Sequence, residues 1–339
     1  MSHLPPIAVR AAAPEILPRP EVDGLEWRPI RREDVPAWTA LVSRILEADG
    51  MEYRMAQDEA AEYFAMPAVD MQTDSLLARD GDGVPRAWSL VCSYEGDETL
   101  VRAVVDGGVD PAWRRRGVGR QLVSWGTGRA RQVLAASGKE APGRICAYLD
   151  DRLTVAGALY REAGYAPLRY YAELRRRLDD SVHDTQVPEG LRIEPWPEDD
   201  EEVRLAHNAA FADHWGSQPR SAEDWRTGRA NFSPGWSFVA REEATGRVVG
   251  YVRTDRYEED WPVAGYSSGY VALLGTLREW RGRGVGTALL ATTMHAQRAE
   301  GIEYAEIGVD TANPSGAHGL YASLGFEAFT SSTMLAVEV

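Results

Sequence analysis

Two short stretches of this chain carry residues able to hold an anion: Trp113-Arg-Arg-Arg-Gly-Val-Gly119 and Trp280-Arg-Gly-Arg-Gly-Val-Gly286. A strand-like run leads up to each tryptophan, and an amphipathic helical pattern begins at the last glycine. The free N–H groups of a first helical turn point at an anion, and the helix dipole favours negative charge there. Glycine lets the backbone approach, and arginine can fork onto phosphate oxygens. A phosphate-bearing ligand is therefore expected on Arg281, Gly282, Arg283, Gly284, Val285, Gly286 and Thr287, and on Arg114, Arg116, Gly117, Val118 and Gly119. The competing reading is that these arginines are solvated charges beside a tight turn. Neither stretch is a Walker loop, because no Gly-Lys-Ser/Thr follows. Neither is a dinucleotide fingerprint, since Leu122 and Leu289 stand where its third glycine belongs.

The elements that must position these loops repeat. Trp113 and Trp280 lie 167 residues apart. Leu25-Glu-Trp-Arg-Pro-Ile30 matches Leu191-Arg-Ile-Glu-Pro-Trp196 at an offset of 166, and Leu159-Tyr-Arg-Glu-Ala-Gly-Tyr165 matches Leu320-Tyr-Ala-Ser-Leu-Gly-Phe326 at 161. Three markers in one order at nearly one spacing indicate a duplicated domain. Each copy reads β-α-α-β-β-β-α-β-α-β, which predicts an α/β class with a mixed sheet in two tandem domains. The expected layout is a flexible tail over 1–24, a first domain over 25–177, a polar aperiodic linker over 178–190 and a second domain over 191–339. Asp34 is expected to cap the first helix, with Pro36 in its first turn.

Composition narrows the function. The chain has 339 residues, 44% hydrophobic and 26% charged, with a net charge of −15. That charge argues against nucleic acid, whose binding rests on phosphate neutralisation by Lys and Arg, and suits a cationic small molecule. The competing reading of this acidity is solubility alone. No apolar run is long enough to span a membrane. Two isolated cysteines and six scattered histidines suggest a reducing cytoplasm and no metal. A monomer is the default expectation, with a dimer left open.

The pattern Arg-x-x-Gly-x-Gly between a strand and a helix resembles the GCN5-related N-acetyltransferases (GNAT), and the resemblance extends over about residues 25–337. The tandem layout is similar to that of the mycothiol synthases. It implies transfer of an acetyl group from acetyl-CoA to an amine, with the pyrophosphate on the loops and the pantetheine beside the strand around Leu274 and Thr276. Asn313 matches a family asparagine that holds the pantetheine; its first-half counterpart is Arg152. As residues alone, Asn313-Pro also makes a good helix-initiating turn. Tyr321 matches the tyrosine that protonates the departing sulfur, with Tyr160 as its counterpart, although an apolar helical face could claim either ring. These differences favour the second half as the working site. Catalysis in the first half, or a non-catalytic acyl-CoA-binding module, are the alternatives.

The sequence departs from the family at the general base. The glutamate expected eleven residues before the loop arginine is Tyr270 in one half and Ala103 in the other. Glu306, Asp213, His214 and Tyr270 itself are the remaining candidates. Glu306 would share a strand face with Asp310, and histidine, as a residue type, suits proton transfer near neutral pH. The acceptor amine, whether an antibiotic, polyamine-like or mycothiol-type molecule, is expected between Phe211–Gln218 and Arg256–Pro262. There aromatics alternate with carboxylates, although an exposed hairpin tip has the same composition.

Overall fold

The computed structural model describes residues 5–179, 185–312 and 317–339. The first half runs α1 (Ile7–Arg10), β1 (Glu26–Arg28), α2 (Val35–Ala48), α3 (Gln57–Glu62), α4 (Met71–Asp74), β2 (Ser75–Arg79), β3 (Pro85–Ser93), β4 (Val101–Val109), α5 (Val118–Ala136), β5 (Gly143–Asp150), α6 (Thr154–Glu162) and β6 (Ala166–Arg177). The second half gives β7 (Leu191–Pro195), α7 (Glu201–Ala210), α8 (Ala222–Arg226), β8 (Phe238–Glu242), β9 (Val248–Asp255), α9 (Trp261–Ala264), β10 (Ser268–Thr276), α10 (Val285–Ala299), β11 (Tyr304–Asp310), α11 (Ala317–Ser323) and β12 (Glu327–Glu338). The repeat expected from the sequence is present, with α1, α4 and α9 as unforeseen short helices.

Two compact units form, and their limits differ from the expected ones. The first comprises the residues up to Arg169 together with Ser332–Val339; the second is Tyr170–Ser331. In the first unit β12 pairs antiparallel with β5, from Ser332↔Asp150 to Glu338↔Arg144. In the second, β6 pairs antiparallel with β11, from Tyr304↔Arg177 to Asp310↔Tyr171. The strand that ends each half of the sequence thus joins the sheet built from the other half. The expected limits at 177 and 339 assumed that each half keeps its own last strand.

Within the first unit the order is β1-β2-β3-β4-β5-β12, with only β4 and β5 parallel among these pairs. One face is covered by α5, whose Val118, Leu122, Trp125, Ala130 and Leu134 recur at helical spacing and are buried. The other face holds a second core of Trp38, Leu41, Trp88, Leu90 and Cys92 under α2 and α3. Residues 5–24 are not a loose tail: Ile7 and Ala11 are buried in the α5-side core, and Arg10 bonds Ala141 O at 2.6 Å. Pro36 begins α2 as expected, but Asp34 does not cap that helix. Its carboxylate accepts from Arg31 N–H at 2.8 Å and pairs with Arg28 and Arg79 at 2.6 and 2.7 Å. Burial opposes its ionisation, yet these donors prevail and hold the carboxyl at about 2.

The second unit has the order β6-β11-β10-β9-β8-β7. Helix α10 lies on one face, where Gly250 is needed because a Cβ there would come within 2.8 Å of Val285. On the other face His207 of α7 bonds the Tyr251 hydroxyl at 2.6 Å. Burial pushes this imidazole down to about 3, so it is a neutral core group. The linker's first expected residue, Leu178, is buried and donates its N–H to Glu303 O at 2.8 Å.

Candidate active site

A parallel strand pair that parts company creates the opening in the second unit. β10 and β11 pair from Ser268↔Tyr304 to Val271↔Ile307 and no further, although both strands continue. On its other edge β10 stays paired with β9, but the register shifts between Val271 and Leu273. Ala272 is therefore the extra residue of a β-bulge, which bends the strand and re-aims its backbone groups. Leu274 and Thr276 remain paired with Val252 and Gly250, and the β11 side of this segment is an unpaired strand edge of the kind an extended ligand can join.

At the end of the opening β10 runs into the glycine loop and α10. Gly282 and Gly284 have φ of +71° and +85°, the left-handed region that glycine adopts without strain. Gly284 is the N-cap, and nothing lies within 4 Å of where a Gly282 side chain would start. The first-turn N–H groups of Val285, Gly286 and Thr287 are thus at the mouth of an exposed, side-chain-free cradle. Val285 itself is buried, and a Cβ on Gly286 would lie 3.5 and 3.9 Å from Leu320 and Leu274, so both positions face packed side chains.

The arginines do not fork outward as expected. Arg281 grips both oxygens of Asp213 at 2.7 and 2.9 Å and also bonds Ala210 O at 2.6 Å and Thr276 O at 3.2 Å. Arg114 repeats this in the first unit, gripping Asp49 at 2.6 and 2.9 Å and Val109 O at 3.2 Å. Each arginine is a staple between the strand end and the segment after α7 or α2. Of the other arginines, Arg283 and Arg116 rest on the rings of Trp280 and Trp113 at 5.0 and 4.5 Å. The candidate anion site is thus chiefly backbone, with the exposed Arg283 beside it in the second copy and the exposed Arg115 and Arg116 in the first.

A model of the acetyltransferase (GNAT) domain matches residues 234–328, all in the second unit. The mycothiol acetyltransferase of Thermobispora bispora is 31% identical over 309 residues, covering 89% of this chain and 95% of that one. This chain belongs to the mycothiol acetyltransferase family of tandem GNAT proteins. The family's Mycolicibacterium smegmatis member is 31% identical over 265 residues, 76% of this chain and 82% of its own. The crystal structure of a GCN5-related N-acetyltransferase from Sphaerobacter thermophilus superposes with TM-score 0.71 at 25% identity, covering 95% of this chain and 97% of that one. A tandem GNAT protein from the clavulanic acid pathway shares the fold at 20% identity, TM-score 0.68, with 93% and 98% covered. Membership of the mycothiol acetyltransferase family makes the chain an acyltransferase rather than a ligand-binding module.

A GNAT acyltransferase needs a cradle for the donor, a group to take the amine proton and a group to protonate the leaving sulfur. Tyr321 fits the last role. It is buried on α11 with its ring against Phe326 at 6.0 Å, and no described residue hydrogen-bonds its hydroxyl. Burial pushes the phenol up to about 12, so it stays protonated at neutral pH. Asn313 lies outside the described residues.

The candidates for proton acceptor separate clearly. Asp213 is spent on Arg281, which holds its carboxyl at about 2. His214 bonds the Trp215 carbonyl at 3.2 Å and lies against Phe211. Glu306 accepts from Tyr266 at 2.8 Å. Tyr270 is half-buried and donates to Glu173 at 3.2 Å; desolvation and then that carboxylate push its phenol well up, so it is no base by itself. The expected acceptor segment Arg256–Pro262 is partly self-satisfied, because Arg256 pairs with Glu258 at 2.6 Å and covers the Trp261 ring at 5.2 Å.

The first unit has the same opening with different furniture. β4 and β5 part after Val104↔Cys146, but β3 and β4 stay in unbroken register, so there is no bulge. The position equivalent to Gly282 is Arg115, held at φ +62°. Arg152, the counterpart of Asn313 in the repeat, pairs with Asp150 at 2.8 Å. Tyr160 is buried against Tyr165 at 5.0 Å. Asp106, which the count from the loop arginine missed, stands just past the parting of the strands, beside Leu90 on the α2 face. It is open to water yet ringed by protein, and that desolvation raises its carboxyl. A carboxylate two residues beyond Val104, at the polar end of Val101-Arg-Ala-Val-Val-Asp106, was the sequence signal.

Proposed function

We propose that this chain transfers the acetyl group of acetyl-CoA directly to the amine of a small cationic molecule, with the chemistry in the second unit. The bulge at Ala272 beside the open edge of β10 carries this assignment, since the first unit lacks it. Acetyl-CoA bound there supplies the activated acetyl thioester. Backbone N–H groups at Gly284–Thr287 would hold its diphosphate, with Arg283 adding charge. The segment Leu273–Thr276 would align the pantetheine as a pseudo-strand, and the bulged backbone would offer an N–H to the carbonyl oxygen. Tyr321 would return a proton to the sulfur. The relatives' name makes a mycothiol-type amine the first acceptor to try. The buried free thiols Cys92 and Cys146 support a reducing, cytoplasmic setting.

The test is CoA-thiol release with acetyl-CoA and kanamycin, spermidine or a mycothiol-type precursor. Gly284→Val, forced into a left-handed φ, should abolish release, while Gly117→Val should leave it nearly intact. One observation favours the opposite assignment: Asp106 gives the first unit a carboxylate just past the parting of its strands. Loss of release in Gly117→Val or Asp106→Asn, with Gly284→Val active, would move the chemistry there.

A further inference from the structure

Where β10 carries a tyrosine, β6 on the far side of β11 carries a carboxylate, Glu173. Past Val271↔Ile307, the first β11 residue beside the opening is Gly308, and its partner on β6 is Glu173. Direct partners share a sheet face, so Glu173, Gly308 and Glu306 lie on one side with Tyr270. Gly308 is exposed and has no side chain to close the space. A Cβ there would come within 2.6 Å of the Tyr270 hydroxyl and within 2.9 and 3.2 Å of the two Glu173 oxygens. The Tyr270 hydroxyl donates to Glu173 Oε2 at 3.2 Å, and its own ring is braced edge-on by Tyr257 at 6.0 Å. A carboxylate, a neutral phenol that orients it and a glycine that keeps it accessible therefore converge where the strands part.

We propose that Glu173 is the general base of the second unit and Tyr270 its positioning residue. This rests on the transfer reading above. The amine nitrogen forms a bond to the thioester carbonyl carbon and the carbon–sulfur bond breaks. The proton lost from nitrogen goes to the Glu173 carboxylate, and the departing sulfur takes one from Tyr321. The tyrosine at the family's glutamate position thus marks a relocated carboxylate rather than a lost one.

The test uses the full chain, acetyl-CoA and whichever of the three amines the wild type acetylates. Glu173 must be ionised to act, so kcat/KM should fall on the acid side. Tyr270, Glu306, Asp310, Arg175, Tyr171 and Tyr257 face the same side, and the profile is read as that of the cluster. Glu173→Gln should lower kcat about 100-fold at neutral pH with the KM for acetyl-CoA unchanged, because acid–base assistance is of that order. Its rate should recover as alkaline pH deprotonates the amine in solution. Formate should restore part of the rate to Glu173→Ala, a response that a structural role would not give. Tyr270→Phe should move the acid limb upward, since it removes a donor to the carboxylate. An unaltered rate and acid limb in Glu173→Gln, or a folded Glu173→Ala that neither alkali nor formate rescues, would overturn the proposal. If the wild type acetylates none of the amines, it is the transfer reading that fails.

Discussion

The arginine of the repeated phrase shows how a residue's role depends on what the fold places opposite it. A guanidinium at a helix entrance has the chemistry to fork onto phosphate, but Arg281 meets Asp213, 68 positions away, before any ligand arrives. The pair is partly exposed, so its Coulomb energy is screened and its value lies in geometry: it ties the end of α7 to the end of β10. Asp213→Asn and Arg281→Ala should therefore raise the KM for acetyl-CoA by similar factors, with the double variant little worse than either. Titrating each variant with acetyl-CoA checks this; a large effect of Arg281→Ala beside a silent Asp213→Asn would restore the phosphate role. The glycines were legible because a positive φ at Gly282 and Gly284 is a demand that residue type answers directly. The partners of Arg281 and Tyr270 were not, because sequence spacing carries no record of which distant carboxylate a fold brings alongside.

The same limit appears among the elements. Nearly every helix and strand in the repeat could be read from apolar periodicity, since α5 and α10 show the spacing that burial on one face requires. The bulge could not, for Val271-Ala-Leu-Leu274 reads as an unbroken strand. Yet it separates the two units, and it makes a clean experiment possible. With Ala272 present, Val271 and Leu273 face Thr254 and Arg253 as neighbours on the partner strand. Deleting Ala272 makes them neighbours on β10 too, so every flanking side chain keeps its face and the ladder becomes regular. The deletion should preserve a cooperative melt while removing the re-aimed backbone. Acetyl-CoA-dependent thiol release should fall by about 10²-fold, the scale of losing one preorganised donor. A deletion variant with full activity would show that the bulge has no part in transfer.

For the whole molecule, duplication was readable and strand exchange was not. Matching phrases at a constant offset reveal two copies, but a strand's two-residue period does not say which sheet it will join. β6 follows the first copy in sequence and still belongs to the second unit from Tyr170 onward, just as Ser332–Val339 belongs to the first. Cutting at the linker therefore severs each unit from one of its own strands. A fragment over 191–339 would leave the β11 edge without β6, exposing Ile307 and Val309 neighbours and a row of unpaired backbone groups. A fragment over 170–331 contains every strand from β6 to β11 and the core that includes Ala305, Ile307 and Tyr321. The expected result is that 170–331 melts cooperatively as a soluble fragment while 191–339 aggregates or unfolds without a transition. Circular dichroism melts of the two fragments decide it, because a stable 191–339 would mean that the exchanged strand adds nothing to the second unit. The same comparison bears on mechanism: only the fragment that begins at 170 retains Glu173, so only it can carry the carboxylate that meets Tyr270 over Gly308.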